Sequence, residues 1–340
     1  GRQNIAFDQA LIDGRLADNI PDTIRFLQFP PTALVGLHQD LRHEIKLAHC
    51  RENGIGVARR ITGGGAIYFD EGQLGWELVF KRSHLGIGDL TMAAKRICEA
   101  AASGLSRLGI EAKYRPRNDI EVNGQKICGT GGFFDGDVLF YQGTLLINMN
   151  PHDMVAALNV PEAKLAKRDL DDAAQRVTTL RALMGEDLPS FATIKNNMLE
   201  GFKEHLQIDV LNGVVSEEED HLANAIHDNE IGTDNFVQSI DGLHDQTGTL
   251  WATHSGSGGT ITVFVRLEGP SSERIREVLI TGDFFVTPTR VIFDLESSLR
   301  SINKEDLGAA VDAFFERAPV DALTLAPSDI RDVLIEAVSA

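Results

Sequence analysis

The chain has only three cysteines among its 340 residues and lacks the commonest nucleotide-binding motifs. Cys50, Cys98 and Cys128 are scattered and show no metal-ligand spacing, so neither a disulfide framework nor a zinc site is expected, and a cytoplasmic location is favoured. No segment matches Gly-x-x-x-x-Gly-Lys-Ser/Thr, which excludes a P-loop phosphate site. No apolar run reaches membrane-spanning length and no signal peptide is recognised, so we expect no membrane partner.

Basic residues are scarce in the second half of the chain. Residues 1–180 carry 21 Lys and Arg against 22 Asp and Glu, a net charge of −1, whereas residues 181–340 carry 11 against 28, a net charge of −17. The two halves add up to the formal charge of −18. Such an acidic surface repels phosphate backbones, so nucleic acid is not an expected partner. An acidic protein partner would have to dock on the first half.

Three consecutive glycines follow two arginines in the first informative segment, where residues 59–66 read Arg-Arg-Ile-Thr-Gly-Gly-Gly-Ala. A Rossmann fingerprint requires a helix after its glycines, but the β-prone residues 66–69 follow here, so that reading fails. A β–turn–β loop remains, whose backbone N–H groups can approach a phosphate or a carboxylate. Because side chains alternate along a strand, Arg59 and Arg60 point to opposite faces, and one of the two could face a pocket. A purely structural hairpin would explain the segment equally well.

A lysine follows a tight turn in the second informative segment, where residues 118–129 read Asn-Asp-Ile-Glu-Val-Asn-Gly-Gln-Lys-Ile-Cys-Gly. Asn123 and Gly124 between two β-prone runs predict a hairpin turn of type I′, which needs positive φ at both positions. Lys126 then lies at the start of the return strand, which is a rigid support for an ammonium group. Gly129 leaves the backbone there bare of side chains. An ordinary surface lysine beside a hairpin is the alternative for this segment alone.

The order of these motifs resembles that of the lipoate–protein ligase family, which is grouped with biotin ligases and octanoyltransferases. Residues 59–66, residues 118–129 and the Gly-Thr-Leu-Leu strand at 143–146 occur in the family order. Residues 4–8 resemble the opening helix of the family. Residues 258–338 are similar to the accessory domain that many of these ligases carry.

The resemblance implies a reaction and its partners. Such ligases use ATP and Mg2+ to convert lipoate or octanoate into an acyl-adenylate, and then transfer the acyl group to a lysine of a carrier protein. The expected acceptor is a lipoyl domain of a 2-oxoacid dehydrogenase E2 subunit, a glycine-cleavage H-type protein or a specialised lipoyl carrier. We expect the protein to act as a monomer in the cytoplasm.

The resemblance also implies which residues form the site. Lys126 falls on the catalytic lysine of the family, where a fixed cation stabilises negative charge on carboxyl and phosphoryl oxygens. Asp119 would bind Mg2+, which prefers oxygen ligands, although it could simply start a strand. Lys164 could equally lie on a solvated helix face. The implied contacts to the acid and to ATP are Arg60, Gly63, Gly64, Gly65, Ala66, Asn118, Asp119, Gly129, Gln142, Gly143, Thr144 and Lys164.

Two other functions stay open at this level. An octanoyltransferase would take its acyl group from a thioester through a cysteine and need no ATP, but residues 114–118, where related transferases carry that cysteine, have none. Cys128 lies two residues beyond Lys126, so alternation predicts that it shares the face of the lysine, which would lower the thiol pKa; a packed thiol is the commoner case. A non-catalytic module that only binds lipoyl domains is the third candidate, and the retention of Lys126, Asp119 and the glycine run argues against it.

Many family members have His-Gly where this chain has Gln142 and a glycine, so proton transfer at that position is not expected.

The coarse pattern predicts an α+β fold with a mostly antiparallel mixed sheet flanked by helices, as in the biotin/lipoate ligase catalytic fold. We expect a catalytic domain over residues 1–231, a linker over 232–259 that includes a Ser-Gly-Ser-Gly-Gly run, and a small α+β accessory domain over 260–340. Helices are predicted at 4–16, 40–53, 89–108, 190–206, 216–229, 305–316 and 327–338, and strands at 24–29, 33–37, 56–62, 66–69, 120–122, 126–128, 138–147, 260–267 and 278–286.

Overall fold

The computed structural model describes residues 1–116, 118–159, 176–256, 258–318, 320 and 322–339. Among these residues, no helix combines the length and the apolar character needed to cross a bilayer. The helices in chain order are α1 (Arg2–Leu16), α2 (Leu41–Glu44), α3 (Leu47–Glu52), α4 (Arg82–Leu85), α5 (Leu90–Ser106), α6 (Pro151–Ala157), α7 (Leu180–Met184), α8 (Phe191–Leu206), α9 (Glu217–Ile226), α10 (Asp234–Val237), α11 (Val291–Ser298), α12 (Leu307–Phe315) and α13 (Pro327–Ser339). The strands are β1 (Thr23–Leu27), β2 (Thr32–Val35), β3 (Gly56–Arg59), β4 (Ile67–Phe69), β5 (Gln73–Lys81), β6 (Ala112–Arg115), β7 (Asp119–Val122), β8 (Gln125–Asp135), β9 (Val138–Leu146), β10 (Leu250–Gly256), β11 (Gly259–Glu268), β12 (Arg274–Gly282), β13 (Val286–Thr287) and β14 (Ala322–Leu323).

A six-stranded sheet forms the centre of the N-terminal part, with its strands in the order β1-β5-β9-β8-β7-β6. Every neighbouring pair is antiparallel. Side chains alternate along β5, so Trp76 and Leu78 pack against α5 and α8 whereas Val79 packs on the opposite face with α1. The sheet is therefore covered on both faces, which explains why β5 is buried along most of its length. The predicted α+β class with a mostly antiparallel sheet is confirmed.

Two helices cover one face of this sheet and approach each other closely. The side chains of Asp89 and Ser190 cap the N-termini of α5 and α8 by accepting backbone N–H groups. Where the helices meet, a Cβ atom at Gly104 would lie 2.7 Å from the Cα of Met198. Only glycine allows the two backbones this separation, so the helix pair depends on that residue.

A second sheet of three strands, in the order β3-β2-β4, carries the arginine pair and the glycine run. Strand β2 pairs in parallel with β3 and antiparallel with β4. Strand β3 ends at Arg59, three residues before the predicted end, and the glycines lie in the connection to β4. Gly64 has a φ of 91°, which favours glycine at this position.

The C-terminal part is built on a third sheet, in the order β10-β11-β12, with α11, α12 and α13 completing its core. The prediction of a linker over 232–259 is wrong for its second half. Residues 250–256 form β10, which pairs with β11 from Leu250 opposite Val265 to Gly256 opposite Gly259. Gly256 and Gly259 lie at the end of the hairpin formed by β10 and β11, and the polar side chains of β10 conceal its alternation in the sequence. The assignment of 1–231 and 260–340 to a catalytic and an accessory domain remains a prediction.

Candidate functional site

A cavity of about 350 Å³ lies between the glycine run and one face of the six-stranded sheet. Its volume falls in the range of sites that bind small molecules. Of the predicted contact residues, those that line it are Arg60, Gly63, Gly64, Gly65, Ala66, Asn118, Lys126, Gly129, Gln142, Gly143 and Thr144. Asp119 lies beside the cavity and bonds to Lys126, whereas Lys164 lies outside the described residues.

The floor of the cavity carries glycines on two of its three strands. Gly75 on β5 and Gly129 on β8 both lie opposite Thr144 of β9, and Gly131 follows on the same face of β8. A Cβ atom at Gly75 would lie 2.9 Å from the Leu27 side chain, and one at Gly129 would lie 2.7 Å from the side chain of the catalytic candidate on the same strand. Glycines on two strands thus let neighbouring side chains lie against the sheet, and they leave a slot beside these side chains that a flat or linear ligand can enter.

The Lys126 side chain enters the cavity from the hairpin that the sequence predicts. Asn123 and Gly124 have φ values of 53° and 79°, as a type I′ turn requires. Two further hydrogen bonds fix the lysine backbone: its N–H donates to the carbonyl of Arg176 and its carbonyl accepts the N–H of Thr178, both at 2.8 Å. The backbone that carries the ammonium group is therefore held by β7 on one side and by residues 176–178 on the other.

The charges around Lys126 are balanced. Its Nζ lies 2.8 Å from Asp119 Oδ1, and Asp119 also accepts a hydrogen bond from the Arg115 guanidinium. Arg115 lies 3.6 Å from Glu121 as well, so two cations face two carboxylates. Among the described residues, no group of three or more His, Cys, Asp or Glu converges on a metal position.

Arg60 brings an unbalanced positive charge to the cavity. Its guanidinium donates to the carbonyls of Gly63 at 3.1 Å and Gly65 at 2.9 Å, and its other acceptors in the described structure are also uncharged oxygens. Burial lowers the pKa of Arg60 to about 10, so it remains charged at neutral pH. An anionic ligand would find here a cation with no competing carboxylate.

Arg59, by contrast, has a structural position. Its side chain is 1% exposed and donates to backbone carbonyls that include those of Gln39 at 2.7 Å and Val237 at 2.9 Å. These bonds tie β3 to α10 and to the loop before α2. The structure therefore places Arg60 at the cavity and Arg59 away from it.

The glycine run is also tied to the sheet floor. Gln142 donates from Nε2 to the hydroxyl of Thr62 at 2.9 Å. Gly143 faces the other way, and a Cβ atom there would collide with the ring of Trp76. Gln142 thus keeps the loop over the slot, while Gly143 makes room for core packing below it.

Comparison with known proteins assigns these motifs to a family. Residues 1–203 match the family model described as the lipoyl protein ligase A/B catalytic domain. The chain belongs to this family. The resemblance drawn from the sequence is confirmed, because the matched residues include both the glycine run and the Lys126 hairpin.

Two relatives of this lipoyl ligase family member carry different activity names. The lipoate-protein ligase A subunit 1 of Thermoplasma acidophilum is 25% identical over 249 residues, which cover 70% of this chain and 92% of the relative. The octanoyltransferase LipM of Moorella thermoacetica is 26% identical over 237 residues, which cover 64% of this chain and 86% of the relative. The relatives support an enzyme of the lipoate ligase and transferase class.

Two solved structures share the fold. The bi-partite lipoate protein ligase of Thermoplasma acidophilum, solved as part of a study that includes its E2 lipoyl domain, has a TM-score of 0.64 at 25% identity and covers 70% of this chain and 92% of its own. LipL1 of P. falciparum in complex with lipoate has a TM-score of 0.74 at 19% identity and covers 98% and 96%. The second match extends the shared fold through the C-terminal part.

The expected position of Cys128 in this family member is wrong. The register of β7 and β8 shifts between Ile120 and Glu121, so that Ile127 is an extra residue on β8. This bulge turns Cys128 into the core, where it is fully buried, and leaves Lys126 facing the cavity. Burial raises the pKa of the Cys128 thiol, which is the opposite of what a nucleophile needs.

A buried ionisable group near the far end of the cavity was missed by the sequence reasoning. Asp8 lines the cavity together with the apolar side chains of Ile5, Leu27 and Phe29. Its only signal in the sequence is an acidic residue among the apolar positions of α1. This end of the cavity is therefore apolar, with the Asp8 carboxyl group at its edge.

Phe285 is the second omission. It lines the same cavity although it comes from the C-terminal part, more than a hundred residues after the last predicted site residue. Phe284 and Phe285 both continue the apolar pattern of a predicted strand, so the sequence gives no signal that one of them reaches the cavity.

Proposed function

We propose that this protein is an ATP-dependent lipoate–protein ligase, which activates lipoate or octanoate as acyl-AMP and transfers the acyl group to a lysine of a lipoyl carrier domain. The observation that carries the proposal is the Lys126 ammonium at one end of a glycine-floored slot whose other end is apolar. A medium-chain acid fits this slot with its carboxylate at Lys126 and its chain directed toward Leu27 and Phe29.

The chemistry follows from this placement. A carboxylate oxygen of the acid attacks the α-phosphorus of ATP, the carboxyl–phosphate bond forms and pyrophosphate leaves. The amine of the carrier lysine then attacks the carboxyl carbon, the amide forms, the amine loses a proton and AMP leaves with the bonding electrons. Lys126 and Arg60 stabilise the negative charge on carboxyl and phosphoryl oxygens in both steps.

Magnesium fits this site as a companion of the nucleotide. Mg2+ commonly binds through one or two carboxylates and substrate phosphates, with waters completing its shell. Asp119 would hold it, and the amide oxygen of Asn118 is a neighbouring donor of the same hard type. The ion would supply neutralisation of the phosphate charge. The balanced pair of Asp119 and Lys126 can release both groups for ligands of opposite sign.

A lipoyl domain is the acceptor that the comparisons support. The archaeal ligase with TM-score 0.64 is described together with its E2 lipoyl domain. Whether the acceptor of this protein is an E2 subunit, an H-type protein or a specialised carrier stays a prediction, as do the monomeric state and the cytoplasmic location.

An octanoyltransferase is the second candidate, because the relative named LipM is 26% identical. Transfer from a thioester through a cysteine requires a thiol at the cavity. Cys50, Cys98 and Cys128 are the only cysteines of the chain, and each is at most 1% exposed. None of the three lines the cavity, which favours the ligase.

The ligase proposal is tested by mass spectrometry of an apo lipoyl domain incubated with the protein, ATP, Mg2+ and lipoate. We expect a lipoyl adduct on the acceptor lysine that requires ATP. Replacing Lys126 by Ala should slow acyl-AMP formation about 100-fold or more, the usual cost of removing one group that stabilises developing charge. Lys113→Ala is the matched control, because Lys113 lies on β6, is 70% exposed and pairs with Glu111 outside the cavity.

Two results would overturn the proposal. Transfer from an octanoyl thioester without ATP, with none from the free acid, would assign the transferase activity instead. Acyl-AMP formation at the wild-type rate by the Lys126→Ala protein would remove the lysine from the mechanism, provided circular dichroism shows that the variant is folded.

A further inference from the structure

The C-terminal part supplies one wall of the cavity through the Phe285 ring. An ideal Cβ atom at Gly64 would lie 2.6 Å from this ring, and one at Gly131 would also lie 2.6 Å from it. The ring therefore rests on the glycine run above and on the bare sheet floor below. Neither glycine could carry a side chain while Phe285 occupies this position.

The ring is held in this place by its neighbours on the chain. The N–H of Gly64 donates to the carbonyl of Phe284 at 3.1 Å, and the N–H of Gly282 donates to the carbonyl of His38 at 2.9 Å. The Phe284 ring is fully buried and stacks on the imidazole of His38 with 5.2 Å between centroids. These contacts dock the turn before β13 on the cavity rim, so Phe285 is a fixed wall.

The wall stands close to the reacting end of the slot. Gly131 and Gly129 are two residues apart on β8, which corresponds to about 7 Å along a strand. A Cβ atom at Gly129 would lie 2.7 Å from Lys126 Nζ. The Phe285 ring is thus about two residue spacings from the ammonium, beside the first carbons of an acid whose carboxylate lies there.

We infer that Phe285 is a specificity-determining residue that rejects acids substituted next to the carboxyl group. The inference rests on the proposed function for the placement of the carboxylate at Lys126. The first carbons of an unbranched medium-chain acid carry only hydrogens, and such a chain fits on the sheet floor beside the ring, which already rests on Gly131. A methyl group on carbon 2 that points toward the ring collides with it.

The experiment compares octanoate with 2-methyloctanoate in the wild-type protein and in Phe285→Ala. Both acids are measured by calorimetric binding and by ATP-dependent acyl-AMP formation. We expect the wild type to favour octanoate, and the Ala variant to raise the relative kcat/KM and the relative affinity for the branched acid about 10- to 200-fold, the usual discrimination for one methylene in a pocket.

Phe293→Ala is the matched control. Its ring contacts the same His38 at 5.2 Å but is 41% exposed and does not line the cavity. This variant weakens the docking of the C-terminal part without opening the slot, so we expect it to keep wild-type selectivity. An equal rise in both variants would mean that loosened docking, and not the wall, sets selectivity, and would overturn the inference.

The outcomes separate this inference from the proposed function. Binding of the free acids needs no ATP, so their affinity ratio decides the role of Phe285 even if the wild type forms no acyl-AMP. An unchanged ratio in Phe285→Ala, together with normal acyl-AMP formation, overturns the inference and leaves the ligase intact. A wild type that binds neither acid, or binds both equally, also overturns it.

Discussion

Two carboxyl groups near the apolar end of the cavity share one guanidinium. Arg25 Nη1 lies 2.8 Å from Asp8 Oδ1 and 2.7 Å from Glu77 Oε1, and both acids are at most 2% exposed. Burial and the neighbouring Glu77 raise the pKa of Asp8 well above its ordinary value of 3.8. Two carboxylates this close to each other and to one cation are best satisfied when one of them keeps a proton.

The first prediction at this scale contrasts two substitutions. Asp8→Asn should leave the free energy of unfolding at pH 7 within about 1 kcal/mol of wild type, because an amide replaces a neutral carboxyl group. Arg25→Met should cost about 3–5 kcal/mol, since it removes the cation that these buried acids share. Urea unfolding measures both.

The pH dependence of the free energy of unfolding tests whether Asp8 is protonated in the folded protein. The pKa of Asp8 is higher in the folded protein than in the unfolded chain, so the wild type loses stability relative to Asp8→Asn as the pH rises above about 4. If Asp8→Asn instead lost as much stability as Arg25→Met at every pH, Asp8 would be ionised in the folded state.

At the scale of elements, the contact between α5 and α8 sets the thickness of the layer below the sheet. An alanine at Gly104 would gain about 1 kcal/mol of helix propensity, but its Cβ would lie 2.7 Å from the backbone of Met198. Two backbones must then separate, and overpacking of this kind typically costs about 1–3 kcal/mol.

Gly104→Ala should therefore lower the free energy of unfolding in urea. Gly308→Ala in α12 is the control, because the atoms nearest to its Cβ would belong to the Ile335 and Arg331 side chains and not to backbone, the closest at 3.1 Å. We expect the control to be neutral or slightly stabilising. Equal or greater stability of Gly104→Ala would contradict the close backbone contact.

At the scale of the whole molecule, a buried histidine joins the two parts of the chain. His38 is 1% exposed, and neither ring nitrogen has a hydrogen-bond partner in the described structure. Its ring lies against Phe284 and Phe293. Burial, and secondarily the charge of Arg59, lower the pKa of His38 to about 3.

This histidine should make the protein sensitive to acid. The folded pKa is below the ordinary value of 6.5, so the stability that neutral His38 provides is complete above that pH and is lost as the pH falls toward 3. At pH 4.5 the loss is about 2–3 kcal/mol. The measurement is the change in unfolding free energy between pH 7 and 4.5, in the wild type and in His38→Phe.

His38→Phe should lack this part of the stability loss in acid, because a phenylalanine ring cannot be protonated. The other groups titrate equally in both proteins. An identical acid loss in the two proteins would mean that His38 is hydrated or already bonded in solution.

Local signals in the sequence were sufficient where a few neighbouring residues decide the structure. Asn and Gly are the residues that most readily adopt the positive φ values of a type I′ turn, so the hairpin and the placement of Lys126 on its return strand followed directly from Asn123 and Gly124. The helices predicted to start at 89 and 190 begin within one residue of those positions, where the side chains of Asp89 and Ser190 cap α5 and α8. The three-glycine run was visible in the sequence itself, and it predicts an open backbone because glycine has no side chain.

Errors arose where distant strands decide the structure. The bulge at Ile127 reverses the face of Cys128, and only the pairing of β7 with β8 reveals it. The strand over 250–256 has few apolar residues and was taken for a linker, because its stability comes from pairing with β11. Phe285 reached the cavity through a docking contact that lies more than 200 residues from the glycine run.

The sequence by itself determined the family, the α+β class and the two segments that form the polar end of the site, because turn residues, caps and glycine runs act over a few residues. Tertiary structure alone decided which arginine faces the cavity, that Cys128 is buried, that Asp8 lies at the apolar end and that Phe285 closes one side. These outcomes depend on strand register and on contacts between remote surfaces, which have no short-range pattern in a chain.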